Sequence, residues 1–180
     1  MANVHDVEYG LMKKEELQWL ADQAIRYSAI VNVGCWTGAS VKTLAENTDG
    51  LVYAIDPWLD PATVYDKEVA DKMTPDWIYS TFLKNMEGLP NVIPMRTTSL
   101  EAAKALGRNV FDMVFIDALH EYEPVRADIL AWLPLISKGG ILCGHDYAPG
   151  YPWGVGVIKA VDELLPHRIL EAGWLWRVDV

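Results

Sequence analysis

The chain is poor in cysteine, with two in 180 residues, and in histidine, with four. Cys35 falls in a predicted turn and Cys143 in a predicted buried strand, which argues against a disulfide scaffold and for a reducing compartment, the cytoplasm. Basic residues are also scarce: 15 Lys and Arg stand against 25 Asp and Glu, a net charge of −10. Affinity for a phosphate backbone comes mainly from Lys and Arg, so no nucleic-acid partner is expected. No apolar run reaches membrane-spanning length, and the first six residues lack the basic-then-apolar order of a signal peptide. Repeats and low-complexity segments are absent.

Apolar material is plentiful, at 51% of residues with eight Trp. The length suits one domain over 1–180. Leu17, Leu20, Ala21, Ala24 and Ile25 follow helical spacing, so 13–27 reads as an amphipathic helix. Strands are expected at 29–33, 51–55, 91–95, 111–116 and 141–143. Helices are expected from 39, over 75–87, after the capping box Thr98-Ser-Leu-Glu101, from Pro124, and over 157–165. Gly139-Gly140 reads as the end of the helix whose inner face runs Val125, Ile129, Trp132, Leu133, Ile136. The tail from His167 reads as two short strands around Gly173; His167, like His5, is taken as structural or surface. Residues 57–74 are polar and irregular, long for a connection and suited to a lid or substrate loop.

Strand and helix alternate, then a hairpin closes the chain. That pattern predicts an α/β fold, a Rossmann-like doubly wound seven-stranded sheet, mostly parallel with a C-terminal antiparallel hairpin strand. Ligands of such sheets sit at the carboxyl ends of the strands, and five polar clusters fall there: Gly34–Ser40, Asp56, Thr98–Ser99, Asp117–His120 and His145–Asp146. Gly34 and Gly38 lack a Cβ where the chain turns sharply, and free N–H groups of the next helix can hold an anion. Asp56 follows at the usual distance to a carboxylate for ribose hydroxyls.

Val-Asn-Val-Gly-Cys-Trp-Thr-Gly-Ala-Ser, Ile-Asp-Pro-Trp, Phe-Asp-Met-Val-Phe-Ile-Asp-Ala-Leu-His-Glu-Tyr and Gly-Gly-Ile-Leu-Cys-Gly-His-Asp-Tyr together resemble motifs of the class I S-adenosylmethionine-dependent methyltransferases. The nearer resemblance is to the small-molecule O-methyltransferases, of catechol and macrolide-sugar type, and to the related cephalosporin hydroxylase-like group. It covers about residues 29–165. It implies that Gly34, Trp36 and Gly38 wrap the methionine part of the cofactor, with Ser40 near its carboxylate. It implies further that Asp56 binds both ribose hydroxyls, that Ser99 lies near the adenine, and that Ala118 lets the base pack. Asn32 stands where the family usually has an acid contacting the first-motif loop or the cofactor's amine. A dinucleotide dehydrogenase fits worse, since its fingerprint needs glycine at 36 and 39.

His120 is the candidate base, three residues beyond Asp117, where catechol-type members carry a catalytic lysine; histidine transfers protons near neutral pH. Asp117, His145 and Asp146 match positions that hold Mg²⁺ in metal-dependent members, although imidazole at 145 suits another divalent metal better. Loop caps or cofactor-side contacts are the competing roles for Asp117 and Asp146, and the resemblance also implies that Asp117 binds the cofactor. Tyr147, Tyr151 and Trp153 offer packing for a flat aromatic or sugar acceptor. The expected activity is methylation of a hydroxyl on a small molecule. The alternatives are a metal-dependent hydroxylase-like enzyme and a non-catalytic S-adenosylmethionine-binding protein. Acceptor selection falls to 57–74, to 147–154, or to the partner subunit of a homo-oligomer.

Overall fold

The computed structural model describes residues 3–4, 7–59, 73–107 and 111–180. The seven strands are β1 (Ala29–Val33), β2 (Leu51–Ile55), β3 (Val92–Met95), β4 (Phe111–Ile116), β5 (Ile136–Gly144), β6 (Ile169–Leu170) and β7 (Trp176–Asp179). They form one sheet in the order β3-β2-β1-β4-β5-β7-β6. β1 to β5 pair in parallel, and β7 runs antiparallel to both β5 and β6. The expected doubly wound sheet with a closing hairpin is what forms.

Among the described residues six α-helices flank it: α1 (Lys14–Ala24), α2 (Ala39–Asn47), α3 (Pro75–Asn85), α4 (Ser99–Leu106), α5 (Tyr122–Trp132) and α6 (Gly154–Leu164). Alternate residues of each strand point to opposite faces. Ile30, Val52, Ala54, Met113 and Phe115 pack against α1, α2 and α3 through Leu20, Leu44, Ile78 and Phe82. Val31, Val33, Ile55, Val114 and Ile116 pack against α4, α5 and α6 through Ala102, Ile129, Trp132 and Val161. Both faces of the central strands are therefore dry, as their continuous apolar runs require.

Local signals set several boundaries. Thr98 accepts from the Glu101 N–H while the Glu101 carboxylate accepts from the Thr98 N–H, closing the capping box of α4. Pro75 opens α3, and the Thr74 hydroxyl caps it. One boundary differs from expectation. Pro134 has no N–H for the helical ladder and restricts Leu133. α5 therefore ends at Trp132 and a 3₁₀ turn, Leu133–Leu135, follows. Ile136, expected on the helix, opens β5, and Gly139-Gly140 lies within that strand at a break in its register with β4. The Gly139 N–H donates to the Val180 carbonyl, a partner 41 positions further along the chain. Of the expected 57–74 loop, 60–72 lies outside the described residues. Among the described residues no helix is long and apolar enough to cross a membrane.

Candidate active site

Backbone hydrogen bonds stitch the carboxyl ends of the central strands together. The Gly34 N–H donates to Ile55, the Asp117 N–H to Val33, and the His145 N–H to Ile116. Gly34 adopts φ 81°, and a Cβ there would run into the Asp117 carbonyl and the Ala118 backbone. Only glycine lets the first loop pass this close to the end of β4.

Asp56 organises that loop. One carboxylate oxygen accepts the Cys35 and Trp36 N–H groups at 2.8 and 3.0 Å. The other accepts the Trp58 N–H at 2.6 Å. Burial pushes this carboxyl up, against the three backbone donors that favour its charged form. Trp36 is held at φ 49°. Its carbonyl accepts from the Trp58 indole and its own indole donates to the Tyr9 carbonyl. A carboxylate offers about four acceptor positions, so three backbone donors leave room for one more hydroxyl.

Asn32 is fully buried beneath the same loop. Its amide nitrogen donates to the Gly34 carbonyl at 2.9 Å, and its Oδ1 has no hydrogen-bond partner. A buried acceptor without a donor is costly, so this atom fits the ammonium of an amino-acid ligand. Ser40 is buried in the first turn of α2 and Gly38 caps that helix at φ 102°. Ser99 sits at the start of α4, but its hydroxyl turns away into the helices: it donates to Asp128 at 2.5 Å and accepts from the Trp132 indole. Near an adenine it could offer backbone only.

The second half of the site is a chain of charged groups. His120 Nε2 is 3.0 Å from Asp146 Oδ2. His145 Nδ1 is 3.3 Å from that oxygen and 3.7 Å from Asp117 Oδ1. His145 Nε2 is 3.1 Å from Glu16 Oε1, off the axis of an in-line hydrogen bond. Burial works against a charged His145, yet Asp117, Asp146 and Glu16 outweigh it and push the imidazole up to about 11. Burial drives the Asp117 carboxyl up to about 6. Asp146 is buried too, but its two imidazole partners hold it below the usual carboxylate range. The hydrogen bond that His120 donates to Asp146 raises the His120 pKa. Two neighbouring carboxylates are thus split, one readily protonated and one firmly ionised. Asp146 also adopts φ 59°, a strained backbone for a residue other than glycine.

Of the three residues expected to hold a metal, Asp117 and Asp146 come together with His120, each offering a ligand atom within 4.8 Å of the others. Two carboxylates and an imidazole suit a divalent cation such as Mn²⁺ or Fe²⁺. His145 faces carboxylates with both ring nitrogens, which favours its charged form. Tyr147 does not join the aromatic wall; its hydroxyl donates to Asp162 and accepts from Arg168. Trp174, from the turn between β6 and β7, takes that place. Its ring lies 5.2 Å from Tyr151, 6.1 Å from Trp153 and 6.0 Å from His145.

The profile of a family described as a methyltransferase domain matches residues 31–147, from β1 to just past β5. The chain belongs to this methyltransferase family. The matched stretch contains the expected cofactor, base and metal residues from Asn32 to Asp146, but not Tyr151 or Trp153, and neither Glu16 nor Trp174, which sequence reasoning missed. An uncharacterised protein of Acanthamoeba polyphaga mimivirus is 35% identical over 57 residues, 32% of this chain and 25% of that protein. The match therefore spans about a quarter of that relative's length.

Solved structures share the fold. An O-methyltransferase of tomaymycin synthesis from Streptomyces achromogenes, in complex with S-adenosylmethionine, has a TM-score of 0.64 at 18% identity, over 94% of this chain and 82% of that one. A Bacillus cereus O-methyltransferase with S-adenosylhomocysteine has a TM-score of 0.65 at 14% identity, over 97% and 84%. A TDP-rhamnose 3'-O-methyltransferase of calicheamicin biosynthesis has a TM-score of 0.64 at 15% identity, over 91% and 76%. The resemblance to class I S-adenosylmethionine-dependent methyltransferases is borne out.

Proposed function

We propose that this methyltransferase uses S-adenosylmethionine to methylate a hydroxyl of a small molecule. The observation that carries this reading is the juxtaposition, at one end of the sheet, of a glycine-loop cradle and a half-exposed histidine backed by a buried carboxylate. Asn32, the Gly34–Ser40 turn and Asp56 hold the cofactor, with Ala118 and the Ser99 backbone beside its base. Bound there, S-adenosylmethionine supplies an electrophilic methyl group on a sulfonium.

His120 is the general base. Its Nε2–H points to Asp146, which leaves the Nδ1 lone pair to take the acceptor's hydroxyl proton as the new O–C bond forms. The ionised Asp146 fixes the ring and stabilises the imidazolium that results, while Asp117 lines the floor. Alignment of the acceptor is the remaining task and can supply ~7–11 kcal/mol in favourable cases. The exposed rings of Tyr151 and Trp153, joined by Trp174 against His145, offer a wall for a sugar or aromatic ring. The likeness in fold to a TDP-rhamnose 3'-O-methyltransferase supports a sugar among the acceptors.

The Asp117, His120 and Asp146 set supports a second way of acidifying the hydroxyl, through a divalent cation held by those residues. The deciding experiment for the main reading is thermal unfolding with S-adenosylhomocysteine. At ~100 times its dissociation constant the ligand adds about 2.7 kcal/mol. No shift at millimolar ligand overturns the reading.

A further inference from the structure

Glu16 lies outside the segment that the family profile matches, in the first turn of α1. It is completely buried. Its Oε2 accepts the Lys13 N–H at 2.8 Å, the glutamate half of a capping box; the Lys13 side chain has no acceptor for the other half. A cap alone does not require burial. The same glutamate-to-N-cap bond recurs at Thr98 with Glu101, and that glutamate is exposed. What differs is the other oxygen. Glu16 Oε1 accepts the Trp174 N–H at 3.2 Å and stands 3.1 Å from His145 Nε2. The turn before Trp174 is shaped to admit it: a Cβ on Gly173 would run into Glu16 Oε1.

From Glu16 the charged groups follow one another at separations of 3.0 to 3.7 Å. The His145 ring turns its other nitrogen to Asp117 and Asp146, and Asp146 meets His120. A buried carboxylate carries a desolvation cost that persists only where partners offset it. Here the offsetting partner is the ring that holds both floor carboxylates. We propose that Glu16 is a positioning residue for methyl transfer. Through the His145 ring it sets where Asp117 and Asp146 stand, and through Asp146 it aims His120. The proposal rests on the reading of His120 as the base.

Glu16→Gln separates this role from capping, because Gln serves the capping box as well as Glu. The readout is the set of imidazole ¹⁵N and ¹H resonances, recorded on the protein saturated with S-adenosylhomocysteine. In the wild type, His145 Nε2–H should be present and slow to exchange; a ring lacking that proton overturns the proposal without any variant. In Glu16→Gln the resonances of His120, which Glu16 does not touch, should shift, while S-adenosylhomocysteine affinity stays within about twofold. Methyl transfer to catechol or rhamnose should fall by about 10-fold or more, the usual effect of losing a group that orients a reacting one. Unchanged His120 resonances overturn the proposal. Wild-type protein that fails to bind S-adenosylhomocysteine counts against the functional reading instead, and the ring spectra of the free protein then still decide whether Glu16 orients His120.

Discussion

Asp146 holds His120 at 3.0 Å from a backbone that is itself strained, at φ 59°. The carboxylate comes from the second residue after β5, next to His145, whose N–H ties this turn to the end of β4. Strain at such a position marks a place where geometry matters more than stability.

His120 gives the most direct prediction. His120→Ala should bind S-adenosylhomocysteine like the wild type, because the ring takes no part in the cradle of Gly34 and Asp56. Turnover should drop by ~10²–10⁴-fold, the range for a positioned general base. Calorimetric titration with the product cofactor and a methyl-transfer assay separate the two effects. Full turnover in this variant removes His120 from the mechanism.

Asp56 ties the glycine loop to β2 through three backbone donors. Asp56→Ala orphans those donors, so unfolding free energy should fall by about 3 kcal/mol, the scale for bonds to a charged group. S-adenosylhomocysteine affinity should weaken with it. Urea denaturation measures the first and calorimetry the second.

Asp128 supplies the pH dependence. It is buried between α4 and α5, and burial raises its pKa despite the hydrogen bond from Ser99. A carboxyl raised on folding binds its proton more tightly in the native state. Its effect on stability is therefore most favourable below its ordinary pKa and is lost as pH rises through the raised one. Asp128→Asn keeps an acceptor for Ser99 and removes the charge. The variant should gain stability over the wild type at pH 8 compared with pH 4. Denaturation curves at the two pH values check the sign.

The cluster of Asp117, His120 and Asp146 makes a separate claim on metals. Mn²⁺ should raise the Tm of the wild type and leave that of Asp146→Asn unmoved. Activity that survives exhaustive chelation rejects a catalytic metal while leaving the base mechanism intact.

The parts of this site visible in the sequence are those built by neighbours along the chain. The turn from Gly34 to Ser40 follows from residues within one strand-to-helix junction, and the capping box at Thr98 from a spacing of three. Ile136 was misplaced because Gly139-Gly140 looks like a helix stop, whereas Pro134 ends the helix and β4 and Val180 dictate the path of 136–140. Ser99 looked free to face a base, but a buried aspartate 29 positions away claims its hydroxyl. Glu16 was invisible as a site residue for a similar reason: its partners are 129 and 158 positions away (His145 less Glu16, and Trp174). Periodicity reports which face a residue takes, not which distant charge it meets.

The bond from the Trp174 N–H to Glu16 has a temporal side. The two partners lie 158 positions apart, so a folding chain whose β6–β7 hairpin has not yet docked has a buried-to-be carboxylate with nothing to close over it. The bond from the glycine loop to Asp56 spans 21 positions, whereas the reacting end waits on a contact across 158.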